Sequence, residues 1–146
     1  MTAADYIRAA VLVFIMGAAL ILAGAGALAD SMREHFVFVP AERQVADAVQ
    51  QMAEREKSLH MTNGNFVGFS NADVEKNGSL LGLPWSNFPV KDYFFDATEL
   101  ESGNIRLRAL PRPDSVVALT IRARLYVEEL SPQGKVMRSG WYPFAD

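Results

Sequence analysis

The chain has 146 residues, a net charge of −3, a pI near 5.4 and no cysteine. Disulfides, thiol catalysis and a Cys-built zinc site are therefore excluded, and the acidic balance gives no global attraction for nucleic acid or an anionic membrane. Once the apolar N-terminus is set aside, about 115 residues remain, enough for one modest core.

The first element is an uncharged run from Ala9 to Ala29, preceded by Asp5 and Arg8. Its length matches the roughly 20 residues that cross a bilayer as a helix. A helix buried in a globular domain normally keeps a polar stripe, and this run has none. Ala27-Leu28-Ala29 ahead of Asp30 has the form of a signal-peptidase site, with Arg8 as a weak positive n-region. The run nevertheless exceeds the usual 7–15-residue apolar region of an export signal, so it reads as retained. Gly17, Gly24 and Gly26 stand among Ala18, Ala19, Ala23, Ala25, Ala27 and Ala29. Small side chains let helix backbones approach closely, which a lone anchor facing lipid does not need. The run is thus a helix made to pack on other helices.

Beyond Asp30, Val45, Val49, Met52 and Leu59 recur at near-helical spacing, which predicts a helix continuing to about His60 and stopping at Asn63-Gly64. Pro40 should bend it without ending it. Such a helix would be about 85 Å long at 1.5 Å per residue, too long for a small domain. Its first half must find partners outside its own chain. Residues 62–90 are rich in turn signals and read as a connecting loop. Four strands follow, at Lys91–Thr98, Asn104–Leu110, Val117–Leu130 and Lys135–Tyr142. In the third, Leu119, Ile121, Ala123, Leu125 and Val127 alternate with Thr120, Arg122, Arg124, Tyr126 and Glu128, and the apolar set is expected to cover the helix.

The expected fold is α+β: a long bent N-terminal helix packed by a C-terminal four-stranded antiparallel sheet. Its segments are an apolar half-helix (1–30), an amphipathic half-helix (31–61), a connecting loop (62–90) and a sheet head (91–146).

The start "MTAAD", with Met1 first, Thr2 second and an acid, Asp5, fifth, resembles a mature type IV pilin or pseudopilin. So does the apolar helix, its amphipathic second half with Pro40, the loop "NGNFVGF" and the sheet after it. Asp stands where the family has Glu, Ala3 and Ala4 replace larger aliphatics, and Arg8 is foreign to the family's apolar core. The resemblance implies a helical filament of many copies, drawn from an inner-membrane pool by a pilus assembly machinery. It also implies trimming by a prepilin peptidase and N-methylation of Met1. In that setting Asp5 pairs with the N-terminal amine of a neighbouring subunit, while Met1, Arg8, Gly17, Gly24 and Gly26 belong to the assembly surface. Major pilins, minor pilins and secretion pseudopilins share this pattern.

Other constellations have ordinary readings. Asp5 and Arg8 at a headgroup edge would cost little, whereas a bare carboxylate in hydrocarbon costs roughly 3 kcal/mol or more. Arg8, three residues on, is an alternative partner for Asp5. His35 and His60 lack ligand-spaced companions and read as surface histidines. Glu54 and Glu56 cannot share a helix face. Arg106, Arg108, Arg122 and Arg124 alternate on two strands, so four guanidiniums are expected on one sheet face. Cross-strand pairing with Asp92, Asp96 or Glu128 is the ordinary reading, and an anionic polymer the functional one. Trp141 and Tyr142 are candidates for a subunit contact. No nucleophile, acid–base pair, phosphate loop or metal set converges, so neither an enzyme, nor a cofactor, nor a specific nucleic acid partner is expected. The competing reading is a single-pass anchored protein whose C-terminal domain binds a partner.

Overall fold

The computed structural model describes residues 3–77, 90–114 and 124–143, and for residues 3–6, 8, 9 and 77 the backbone alone. The chain is α+β, with helix from Ala3 to Asn63 followed by a four-stranded antiparallel sheet, as the sequence pattern predicts. Two units are distinguishable, Met1–Val37 and Phe38–Asp146.

Helix α1 spans Ala3–Arg33, a π turn covers Glu34–Phe38, and α2 runs from Val39 to Asn63. Pro40 accounts for the lapse in α geometry just ahead of it. It has no N–H for the carbonyl four residues back, and its ring crowds that carbonyl. The wider π turn takes up the disturbance expected at Pro40. At the other end Gly64 adopts φ 80° and donates its N–H to the His60 carbonyl at 2.8 Å. That left-handed cap terminates α2 where Asn63-Gly64 predicted it.

Strand β1 is Tyr93–Glu99, β2 Ile105–Pro111, β3 Arg124–Leu130 and β4 Val136–Pro143, ordered β1-β2-β3-β4. One stripe of α2, comprising Val45, Ala48, Val49, Met52 and Ala53, packs with Tyr93, Phe95 and Ala97 of β1 and with Ile105, Leu107 and Ala109 of β2. Period 3.6 on the helix meets period 2 on the strands, and the core forms where those two apolar sets coincide. The segment expected to be loop also holds a helix, α3 (Asn71–Asn77). Its start is a capping arrangement in Ser70-x-x-Asp73: Asp73 Oδ2 accepts the Ser70 N–H at 2.8 Å and its hydroxyl at 2.7 Å. Trp85, Phe88 and the proposed strand residues 117–123 lie outside the described residues.

The third strand corrects the sequence reading. Register pairs Leu107 with Glu128 and Ala109 with Tyr126, so Arg124, Tyr126 and Glu128 face the helix, with Leu125 and Val127 on the opposite side. Alternation alone fixes two faces and leaves open which is inside. The polar set is inside because its members satisfy one another. Tyr126 Oη accepts from Gln50 of α2 at 3.3 Å and lies 2.9 Å from Ser139 Oγ; Glu128 Oε2 accepts from Ser139 at 2.6 Å and from Tyr126 at 3.2 Å. Arg124 reaches Glu42 of α2 at 2.6 Å and lies over the Trp141 ring at 5.6 Å. Burial pushes the Tyr126 phenol above its ordinary range, so at neutral pH it remains a proton donor to this network. Trp141 packs edge-on to Tyr126 and Tyr93, against the core.

Among the described residues three carboxyls lie below their ordinary ranges: Asp73 through its bonds from Ser70, Glu75 through Arg112 and Asn71, and Glu129 chiefly through Asn104 and then Arg106. A lowered folded-state pKa means that the unfolded chain takes up protons first as pH falls. Their stabilisation is present above the unfolded values of 3.8 for Asp and 4.5 for Glu and is lost as pH falls through the folded values. The unfolding midpoint of the chain in mild detergent should therefore drop between about pH 5 and about pH 3. Asp73→Asn with Glu129→Gln should flatten that slope; an unaltered slope in the double variant contradicts the assignment.

Candidate assembly surface

Helix α1 forms because an apolar run without proline can bond every interior backbone group within itself, the one economical arrangement where water is scarce. It is long and apolar enough to cross a membrane, and none of its apolar window is buried by the chain itself. Ten large apolar side chains between Val11 and Leu28 are more than half exposed, with Phe14 at 77%. Covering each is worth about 1.5–3 kcal/mol, together about 15–30 kcal/mol. That exceeds the net stability of an ordinary domain, about 5–15 kcal/mol. A surface of this kind is compatible with lipid surroundings.

The sequence-predicted assembly residues divide as follows. Met1 lies outside the described residues. Asp5 and Arg8 fall within α1, three positions apart, and the proposed pairing of Asp5 concerns side chains outside those described. Gly17 and Gly24 share a face with Ala10 and Ser31, since seven residues fall only about 20° short of two turns. Gly26 stands about 200° round the helix from Gly24 and belongs to another face. A Cβ placed on any of the three would meet nothing within 4 Å. Nothing in the chain itself calls for glycine there. The seven-residue spacing was present in the sequence and is the signal that the compositional reading passed over.

The four arginines do not share a face. Arg106 and Arg108 lie on the outer side, paired with Glu129 at 3.2 Å and with Asp96 at 2.8 Å. Arg124 is turned inward to Glu42, because register sets β3 one residue out of the expected phase; Arg122 lies outside the described residues. Asp96 holds the Arg108 guanidinium above its ordinary range. Arg138 lies over the Tyr142 ring at 3.8 Å, with Gly140 between them on the strand. Each described guanidinium of this sheet thus has a carboxylate or a ring, which leaves little positive surface for an anionic polymer.

Glu54 is exposed beside Lys57, whereas Glu56 is buried, so the two occupy different faces of α2 as their spacing requires. His35 is exposed, and His60 stacks on Phe66 with ring centroids 4.4 Å apart. That stack borders a cleft of about 150 Å³ between the end of α2 and the β3–β4 turn, which Lys57, Met61, Pro132, Gln133 and Gly134 complete. The cleft brings together no acid, base and nucleophile. Among the described residues no group of three His, Asp or Glu is placed to hold a metal ion.

Gly17→Leu should leave the thermal transition of the sheet head unchanged, within about 0.5 kcal/mol, since nothing lies near that position. It should weaken association of α1 with other helices, and Gly17→Ala should do so less. Equal association of Gly17→Leu and the parent chain, read by cross-linking in lipid vesicles, would remove Gly17 from the surface. Comparison with known protein families, with curated proteins and with solved structures found no match.

Proposed function

We propose that this protein is the structural subunit of a helical, type IV pilus-like extracellular filament, held in the inner membrane before assembly. The observation that carries the reading is the apolar α1, uncovered by its own chain and joined to a head with a core of its own. In the membrane, lipid satisfies that surface; in the filament, copies of α1 do so. Identical subunits docking head to tail without closing a ring generate a fibre. Close approach of helices along Gly17 and Gly24 supports such packing. Asp5 adds register: its carboxylate meets the N-terminal amine of a neighbour, and a subunit docked at the wrong height leaves both charges unpaired in an apolar interior.

The described sheet edges support association through the helix. At β4, pairing is irregular at Glu129/Leu130, Gly140 takes φ 145°, and Pro143 closes the strand. An edge so broken is a poor template for strand addition. A single-pass anchored binding protein is the competing reading, and it requires a solitary chain.

Negative-stain microscopy of sheared cell-surface material, with the subunit identified by mass spectrometry, should show filaments whose N-terminal peptide begins at Met1 and carries one added methyl group. Asp5→Ala should insert into the membrane normally and lower filament yield about tenfold or more. Arg8→Leu should matter less; a loss equal to that of Asp5→Ala would make Arg8 the partner instead. Normal yield from Asp5→Ala, or a chain found solitary wherever it resides, would overturn the reading.

A further inference from the structure

The outer edge of β1 is occupied by a short strap of the same chain, residues 66–71. Phe69 donates its N–H to the Ala97 carbonyl at 3.0 Å and accepts the Ala97 N–H at 2.9 Å, an antiparallel bridge. Two residues on, Asn71 Oδ1 accepts the Phe95 N–H at 3.2 Å. Phe95 and Ala97 are the alternate positions whose N–H groups point away from β2, so the strap fills the place of a fifth strand.

The strap is fastened from the helix side at some cost. Glu56 is 1% exposed; its Oε2 accepts the N–H groups of Val67 at 2.9 Å and Gly68 at 3.2 Å, and its Oε1 is buried with no hydrogen-bond partner. A carboxylate in an apolar helix stripe with one oxygen unmet is expensive, and a loop that merely reversed direction would not require it. Phe66 anchors the strap in the core. Gly68 has φ +66°, and a Cβ there would stand 2.9 Å from the Ala97 carbonyl oxygen, so glycine alone permits this approach.

What the strap covers explains its construction. Strand β1 reads Tyr93-Phe94-Phe95-Asp96-Ala97-Thr98-Glu99, β-prone, with its two charges at Asp96 and at the terminal Glu99. Unlike β4, it is regular in register along all seven pairs with β2. A regular, aromatic-rich edge with free N–H and C=O groups recruits another strand. We propose that the strap 66–71, fastened by Glu56, guards β1, and that the partner this edge fits is the same edge of a second copy, paired antiparallel about a two-fold axis. The bridge that the strap already makes is antiparallel, and antiparallel self-pairing of one strand is what two-fold symmetry provides. The guard keeps heads from joining through their sheets. The inference does not depend on the filament reading, because it concerns the head alone.

The test uses the full chain in detergent, which keeps α1 covered, and compares Glu56→Ala and Gly68→Ala with the parent. Amide exchange at Phe95 and Ala97 should accelerate by about 100-fold in both variants, with β3 amides still protected. Sedimentation should then show concentration-dependent dimers. The chain lacks cysteine, so Thr98→Cys at the exposed edge should form disulfide-linked dimers in both strap variants and not in the parent background. If Glu56→Ala also loses β3 protection, Gly68→Ala decides. Unchanged exchange at Phe95 and Ala97 overturns the guard. Fast exchange without dimers, or equal cross-linking in the parent background, overturns the partner.

Discussion

Between Val11 and Leu28 the chain presents large apolar side chains to its surroundings from a helix that it makes no attempt to cover, and the cost of leaving them in water rivals the whole stability of a folded domain. Every other feature of the molecule is compatible with that constraint. The helix bonds its own backbone and so tolerates lipid. A Cβ on Gly17, Gly24 or Gly26 would meet nothing of the chain itself, so the described fold does not call for glycine at those positions.

The head follows a different logic. Its core is a two-layer arrangement of α2 on the sheet, and the polar groups facing β3 and β4 enter that layer as paired sets: Gln50 with Tyr126, Ser139 and Glu128, and Arg124 with Glu42. They tie α2 to β3 and β4, whose apolar contribution to the core is smaller than that of β1 and β2. The outer face is neutralised pair by pair, through Arg106–Glu129 and Arg108–Asp96. The two described edges are managed separately, β4 by irregular backbone and β1 by a strap with a buried acid beneath it. Among the described residues, α1 is the longest apolar surface that the chain leaves uncovered.

Local signals in the sequence were enough for the order of elements. The uninterrupted apolar run, the 3.6-residue recurrence of Val45, Val49 and Met52, the Asn63-Gly64 stop and the turn residues between strands each act over a few residues, and each reappears in the structure. Helix α3 was legible in the same way, through Ser70-x-x-Asp73, but was hidden among the glycines, asparagines and prolines that dominate residues 62–90. The seven-residue spacing of Gly17 and Gly24 was likewise readable, and the helix separates them from Gly26.

What the sequence by itself determined, then, is the class of fold, the span of the uncovered helix and the absence of cysteine chemistry, because composition and short-range periodicity decide these. Only the tertiary structure decided which side of β3 lies inside, that Arg124 turns to Glu42 while Arg106 and Arg108 face outward, and that Glu56 fastens a strap across β1. Alternation along one strand has no sign of its own. The sign comes from register with β2 and from whether distant groups, such as Gln50 and Ser139, arrive to satisfy a buried hydroxyl and carboxylate.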